Sequence, residues 1–67
     1  MTGKEVIRKL HKLGFVVDHV TGSHYILIGP NRQRTVVPVH GSRDLRRGTL
    51  LAIMKQAGAT EETFRRL

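Results

Sequence analysis

The chain has 67 residues, with 12 Lys and Arg against 5 Asp and Glu, a formal charge of +7, and neither Cys nor Trp. A chain this short holds one small core, which excludes a cofactor domain joined to a substrate domain, and the lack of Cys excludes a disulfide framework or a thiolate zinc site. Hydrophobic residues make up 39%, in runs of only a few residues, far from the roughly 20 needed for a membrane span. The opening Met1-Thr2-Gly3-Lys4-Glu5 lacks the apolar stretch of a secretory signal, so a cytoplasmic protein is expected. The positive balance is compatible with nucleic acid, an acidic protein or a membrane surface as partner, and equally with a solvated basic face that has none.

In chain order, Thr2 is a helix cap with Glu5 three residues on as its capping-box partner. Val6, Ile7, Leu10 and Leu13 recur at helical spacing and Gly14 supplies a stop, predicting a helix over 3–13. Its other side carries Lys4, Arg8, Lys9, His11 and Lys12. A strand is predicted over 15–20, with Phe15, Val17 and His19 on one face and Val16, Asp18 and Val20 on the other. Thr21-Gly22 reads as a two-residue turn, which would set Val20 against Ser23 and His19 against His24. The second strand, 24–28, is apolar on both faces and suits a central position. Gly29-Pro30-Asn31-Arg32 is loop chemistry, and a third strand follows over 34–39, with Pro38 at a sheet edge or strand end. After a loop over 40–44, a second helix is expected from Arg47 or Gly48, with Leu50, Ile53, Met54 and Ala57 as its apolar stripe and Gly58 as its end. Thr60 then caps one or two further turns, from which Phe64 and Leu67 can pack back. Short turns make the strands a meander, and two amphipathic helices can cover only one of its faces. The expected fold is a single α+β domain over 1–67, two layers in the order α-β-β-β-α, as in double-stranded-RNA-binding domains.

Two segments can carry chemistry. Gly22-Ser23-His24 puts an imidazole at the start of a strand, beside a tight turn. Imidazole is the side chain best suited to moving protons near neutral pH. In a basic protein it can serve RNA cleavage, deprotonating the 2′-hydroxyl or protonating the leaving 5′-oxygen, with neighbouring Lys or Arg stabilising the charged phosphorane. Spacing alone leaves a second account standing, that of an ordinary strand His next to a glycine turn. His19 and His40 are open as a second acid or base, although a directly opposed His19 would be too close to flank a phosphate in line. The second segment is Pro38-Val39-His40-Gly41-Ser42 with Arg43, Arg46 and Arg47, a loop entering a helix and a candidate phosphate-binding surface. Its alternative is a solvated face with local ion pairs. The four His show no metal-ligand spacing, no nucleotide-binding glycine loop is present, and no cofactor is expected. With three aromatic residues, stacking recognition of single strands has little to draw on. In the second strand His24, Ile26 and Ile28 share one face and Tyr25 and Leu27 the other; the helices can cover only one, and the uncovered face would leave an apolar strip that favours a protein partner.

Leu13-Gly14-Phe15, Gly22-Ser23-His24, Val37-Pro38-Val39-His40-Gly41, Leu45-Arg46-Arg47-Gly48-Thr49-Leu50 and Ile53-Met54-Lys55-Gln56-Ala57-Gly58 are together quite specific. The chain resembles, over roughly residues 3–63, the HicA toxin family of bacterial type II toxin–antitoxin systems. The resemblance implies a double-stranded-RNA-binding-domain-like fold and an mRNA interferase that arrests translation and growth. It places the catalytic role on His24, with Gly22 permitting the turn and Ser23 aiding position. It also implies a HicB-type antitoxin that covers the His-bearing surface and brings the DNA-binding part, so DNA is met only through the complex.

Residues and resemblance together lead to a metal-independent endoribonuclease toxin. His24 is its acid or base, and the RNA backbone is held by Lys4, Arg8 and Lys12 of the first helix together with Ser23, Arg43, Arg46 and Arg47. The rivals are a non-catalytic RNA-binding module and a small interaction protein whose basic surface serves only an acidic partner.

Overall fold

The computed structural model of the protein describes residues 1–67, in the order α1 (Gly3–Lys12), β1 (Val16–Thr21), β2 (His24–Ile28), β3 (Arg34–Pro38), α2 (Arg47–Gln56) and α3 (Glu61–Arg65). Thr2 starts α1 through a reciprocal capping box: its hydroxyl accepts from the Glu5 N–H at 3.2 Å, and the Glu5 carboxylate accepts from the Thr2 N–H. At the other end Gly14 takes a φ of 93°, a left-handed conformation that turns the chain into β1.

The strands form one antiparallel sheet, β1-β2-β3, with β2 central as its two-sided apolar pattern requires. Val37 lies opposite Tyr25 and Thr35 opposite Leu27, so these four share the face turned to the helices. Val6 and Leu10 of α1, Leu50, Ile53 and Met54 of α2, Leu27 and Val37 of the sheet, and Phe15 and Phe64 make one buried cluster. This cluster lies on one side of the sheet, the two-layer α+β arrangement of double-stranded-RNA-binding domains.

The first hairpin corrects the expected register. Thr21 lies opposite His24, so the two turn residues are Gly22 and Ser23, and His19 lies opposite Ile26 rather than His24. The register then shifts between Val17 and His19 at a bulge containing Asp18. The extra residue reverses the alternation, so Val17 and Val20 fall on one face and Val16 and His19 on the other. Strict alternation cannot see a bulge, which is why the expected grouping of Phe15, Val17 and His19 fails.

The uncovered face also departs from expectation. Ile26 is only 5% exposed although it lies outside the main cluster, because β1 and β3 flank it with His19 and Val36 as cross-strand neighbours. The exposed apolar surface sits instead on the edge strand β1, where Val16, Val17 and Val20 are 56%, 44% and 47% exposed. Finally, β3 ends at Pro38, one residue short of the predicted end, although the Val39 N–H still donates to the carbonyl of Ser23, the next residue in the register, at 2.8 Å.

Lys9 is the largest surprise in α1. Expected on the solvent side, it is buried, and its ammonium donates to the carbonyls of Arg65 and Leu67 at 3.1 and 3.0 Å. It thereby ties α1 to the end of α3, where carbonyls lack helical partners. The signal was in the sequence: Lys9 occupies the i+3 position of the Val6, Leu10, Leu13 stripe.

Candidate functional site

His24 opens β2 immediately after the turn. Gly22 holds a φ of 59° there, and no atom lies within 4 Å of where a side chain would begin. The turn requires glycine for its backbone, not for space. Because Tyr25 and Leu27 face the helices, His24 belongs to the uncovered face, and it is exposed. Its cross-strand partner on β3 is Pro38, on the same uncovered face. The bond from Val39 to Ser23 clips the end of β3 to the turn, so the segment leading to His40 leaves the sheet beside His24.

The end of β3 is held from the other side by α1. A methyl group on Gly3 would stand 2.5 Å from the Pro38 carbonyl oxygen and 3.0 Å from a methyl of Val39. Only a bare Cα permits this approach. The loop that follows is stitched to the N-terminal segment: the Leu45 N–H donates to the Met1 carbonyl at 2.9 Å, and the Asp44 carboxylate lies 2.9 Å from the Met1 amine. These ties set the positions of Arg43 and Arg46. Between strand end, loop and α2 lies a cleft of about 340 Å³, lined by Pro38, His40, Arg43, Asp44, Leu45, Arg46 and Thr49.

The sequence-predicted residues divide into three groups. Gly22, Ser23 and His24 sit on the turn, and Arg43 and Arg46 come to the cleft that borders their strand partner Pro38. His40 joins that cleft, whereas His19 sits further down the uncovered face, opposite Ile26, and bonds Asp18 at 2.7 Å. Arg47 goes elsewhere: its guanidinium donates twice to Glu61, at 3.1 and 3.2 Å, joining α2 to α3. This bond and the one from Arg65 hold the Glu61 carboxyl below its ordinary range. Lys4, Arg8 and Lys12 line the exposed side of α1, on the helix layer rather than the uncovered sheet face. Lys4 follows Gly3, the residue packed against the end of β3. No group of three His, Asp or Glu side chains is gathered anywhere in the fold.

Charge in the molecule is sorted as well as abundant. Glu61 and Glu62 are taken by Arg47, Arg65 and Arg66, Asp44 by the Met1 amine, Asp18 by His19, and Glu5 by the α1 cap. Arg43 and Arg46 enter no ion pair and remain free for an anion.

Fold and site thus define a small basic α+β protein that presents a strand-end imidazole beside an arginine-lined cleft. The sequence pattern of one family, described as HicA toxin of bacterial toxin-antitoxin, matches residues 3–59. The chain belongs to the HicA toxin family, and with it to the toxin–antitoxin systems in which a toxin is paired with an antitoxin. No curated protein matches it as a relative. No helix is long and apolar enough to cross a membrane.

Proposed function

We propose that residues 1–67 act as one metal-independent mRNA interferase domain, the toxin of a type II system, working in the cytoplasm and neutralised by a HicB-type antitoxin. The observation that carries the proposal is the exposed His24, clipped by its turn against a strand end whose neighbouring cleft holds unpaired arginines. The nucleophile is the RNA's own 2′-hydroxyl, so no activated water is required. His24 takes that proton or delivers one to the leaving 5′-oxygen, and Arg43 and Arg46 stabilise the charge that builds on the phosphorane. Bond formation from O2′ to phosphorus and cleavage of the bond to O5′ leave a cyclic phosphate and a free 5′-hydroxyl. The exposed valines of β1 make the sheet edge apolar: Val16 shares the uncovered face with His24, and Val17 and Val20 lie on the other face. An antitoxin that packs on this edge and extends over the uncovered face would cover the imidazole. Contact with DNA then belongs to the complex.

The test compares His24→Ala with the wild type, both freed of partner. Loss of an acid–base group predicts cleavage slower by about 10²–10⁴-fold. Growth arrest should disappear, and the melting curve should stay unchanged because the ring is exposed. A folded His24→Ala protein that still cleaves RNA and still stops growth refutes the assignment. In the non-catalytic reading the variant keeps both RNA affinity and phenotype.

A further inference from the structure

A second cleft, of about 300 Å³, runs between β3 and α2 on the side away from His40. Arg34, Thr35 and Val36 line it from the strand, and Thr49, Ala52 and Gln56 are among those that line it from the helix. Thr49 also lines the first cleft, so the two are joined along one flank of α2. Their strand-side wall is continuous: Arg34, Val36 and Pro38 alternate along β3 and share the uncovered face with His24. Residues 34 and 38 stand about 13 Å apart along the strand. The hydroxyl of Thr35 donates to the Gln56 side chain at 2.6 Å on the inner side, which fixes the spacing between strand and helix.

The charge of this groove has one sign. Arg34 marks one end, Arg43 and Arg46 the other, and none of them has an acidic partner. Asp44 is the single carboxylate on its wall, and the Met1 amine neutralises it. Aromatic platforms are missing, because Phe15 and Phe64 are buried and Tyr25 faces the helices. A ligand is therefore recognised by its phosphates and not by stacked bases.

We propose that the joined clefts between β3 and α2 form a track for single-stranded RNA, in which Arg34 and the Arg43–Arg46 pair hold phosphates of the strand that passes His24. This rests on the ribonuclease reading for its choice of polyanion, and it names the path that reading leaves open. It assigns binding to Arg34 and Thr49, and it removes Arg8 and Lys12 of α1 from the main contact.

The experiment uses isotope-labelled full-length His24→Ala protein, titrated with a single-stranded oligoribonucleotide and followed by amide chemical shifts. Shifts should cluster on β3, the 40–46 loop and the groove side of α2. Arg34→Glu in the same background should weaken binding at least tenfold, melt like its parent, and lower the salt slope, which is about 0.7 per phosphate contact on a single strand. Arg8→Glu makes the same charge change on the outer face of α1 and should matter far less. Shifts confined to α1, or unchanged affinity on Arg34→Glu, overturn the track. Equal affinity and equal shifts with polyglutamate overturn it too, in favour of an acidic protein. Cleavage by the wild type is scored separately: cleavage with shifts on α1 sinks the track alone, and shifts on the groove without cleavage sink the ribonuclease reading alone.

Discussion

Gly3 and Gly48 both lie in the first turn of a helix, and alanine at the two positions should act with opposite sign. By helix propensity alone each Gly→Ala change is favourable, by up to about 1 kcal/mol. At Gly48 no atom stands within 4 Å of the new methyl, so the gain survives, at about 0.5 kcal/mol. At Gly3 the methyl meets backbone, the Pro38 carbonyl oxygen at 2.5 Å, and cannot be accommodated by a side-chain rotation. Either α1 or the end of β3 must move. Overpacking of this kind costs about 1–3 kcal/mol, which leaves a net loss of about 0.5–2.5 kcal/mol after a propensity gain of about 0.5 kcal/mol. For a domain of this size, 1 kcal/mol shifts the melting temperature by about 4–8 °C. Gly3→Ala should then melt about 2–20 °C below the wild type and Gly48→Ala about 2–4 °C above it, read by circular dichroism. Because Pro38 opposes His24 and lines the cleft, Gly3→Ala should also slow RNA cleavage below the melting range, while Gly48→Ala leaves it intact. A Gly3→Ala protein that melts with or above the wild type would show that the strand end yields freely and that the site is not held from α1.

Lys9→Met keeps the buried stem and deletes the ammonium that bonds two carbonyls, so urea denaturation should show a loss of about 1–2 kcal/mol, with faster amide exchange confined first to α3. For Glu61, whose carboxyl is held down by Arg47 and Arg65, the contribution to stability is complete above the ordinary carboxylate range and is lost as pH falls through the lowered value. Glu61→Gln should therefore remove part of the acid-side slope in a melting-temperature profile, and an unchanged slope would count against the Arg47–Glu61–Arg65 link. At Gly22 only backbone strain is at stake, so Gly22→Val should cost about 1–2 kcal/mol and Gly22→Asn clearly less, measured by denaturant titration; equal costs would mean that the turn relaxes out of its left-handed conformation.

Local chemistry determined most of the scaffold from the chain alone. The Thr2–Glu5 cap, the glycine stops at Gly14 and Gly58, the apolar stripes of α1 and α2 and the double-sided strand β2 act over a few residues, and such signals survive any tertiary context. The imidazole of His24 was legible for the same reason, since a glycine turn next to a strand start fixes where it stands. What the fold alone decided involves residues far apart in sequence. The bulge at Asp18 changed which valines share a face, and only pairing with β2 reveals it. Lys9 went inside because carbonyls more than fifty residues away are there to receive it. Of the neighbours Arg46 and Arg47, one was left free at the cleft and the other drawn to Glu61, a choice made by the place where α3 packs. A cation's charge is a property of its own residue, but whether that charge is spent within the molecule or offered to an outside anion depends on what the rest of the chain brings beside it.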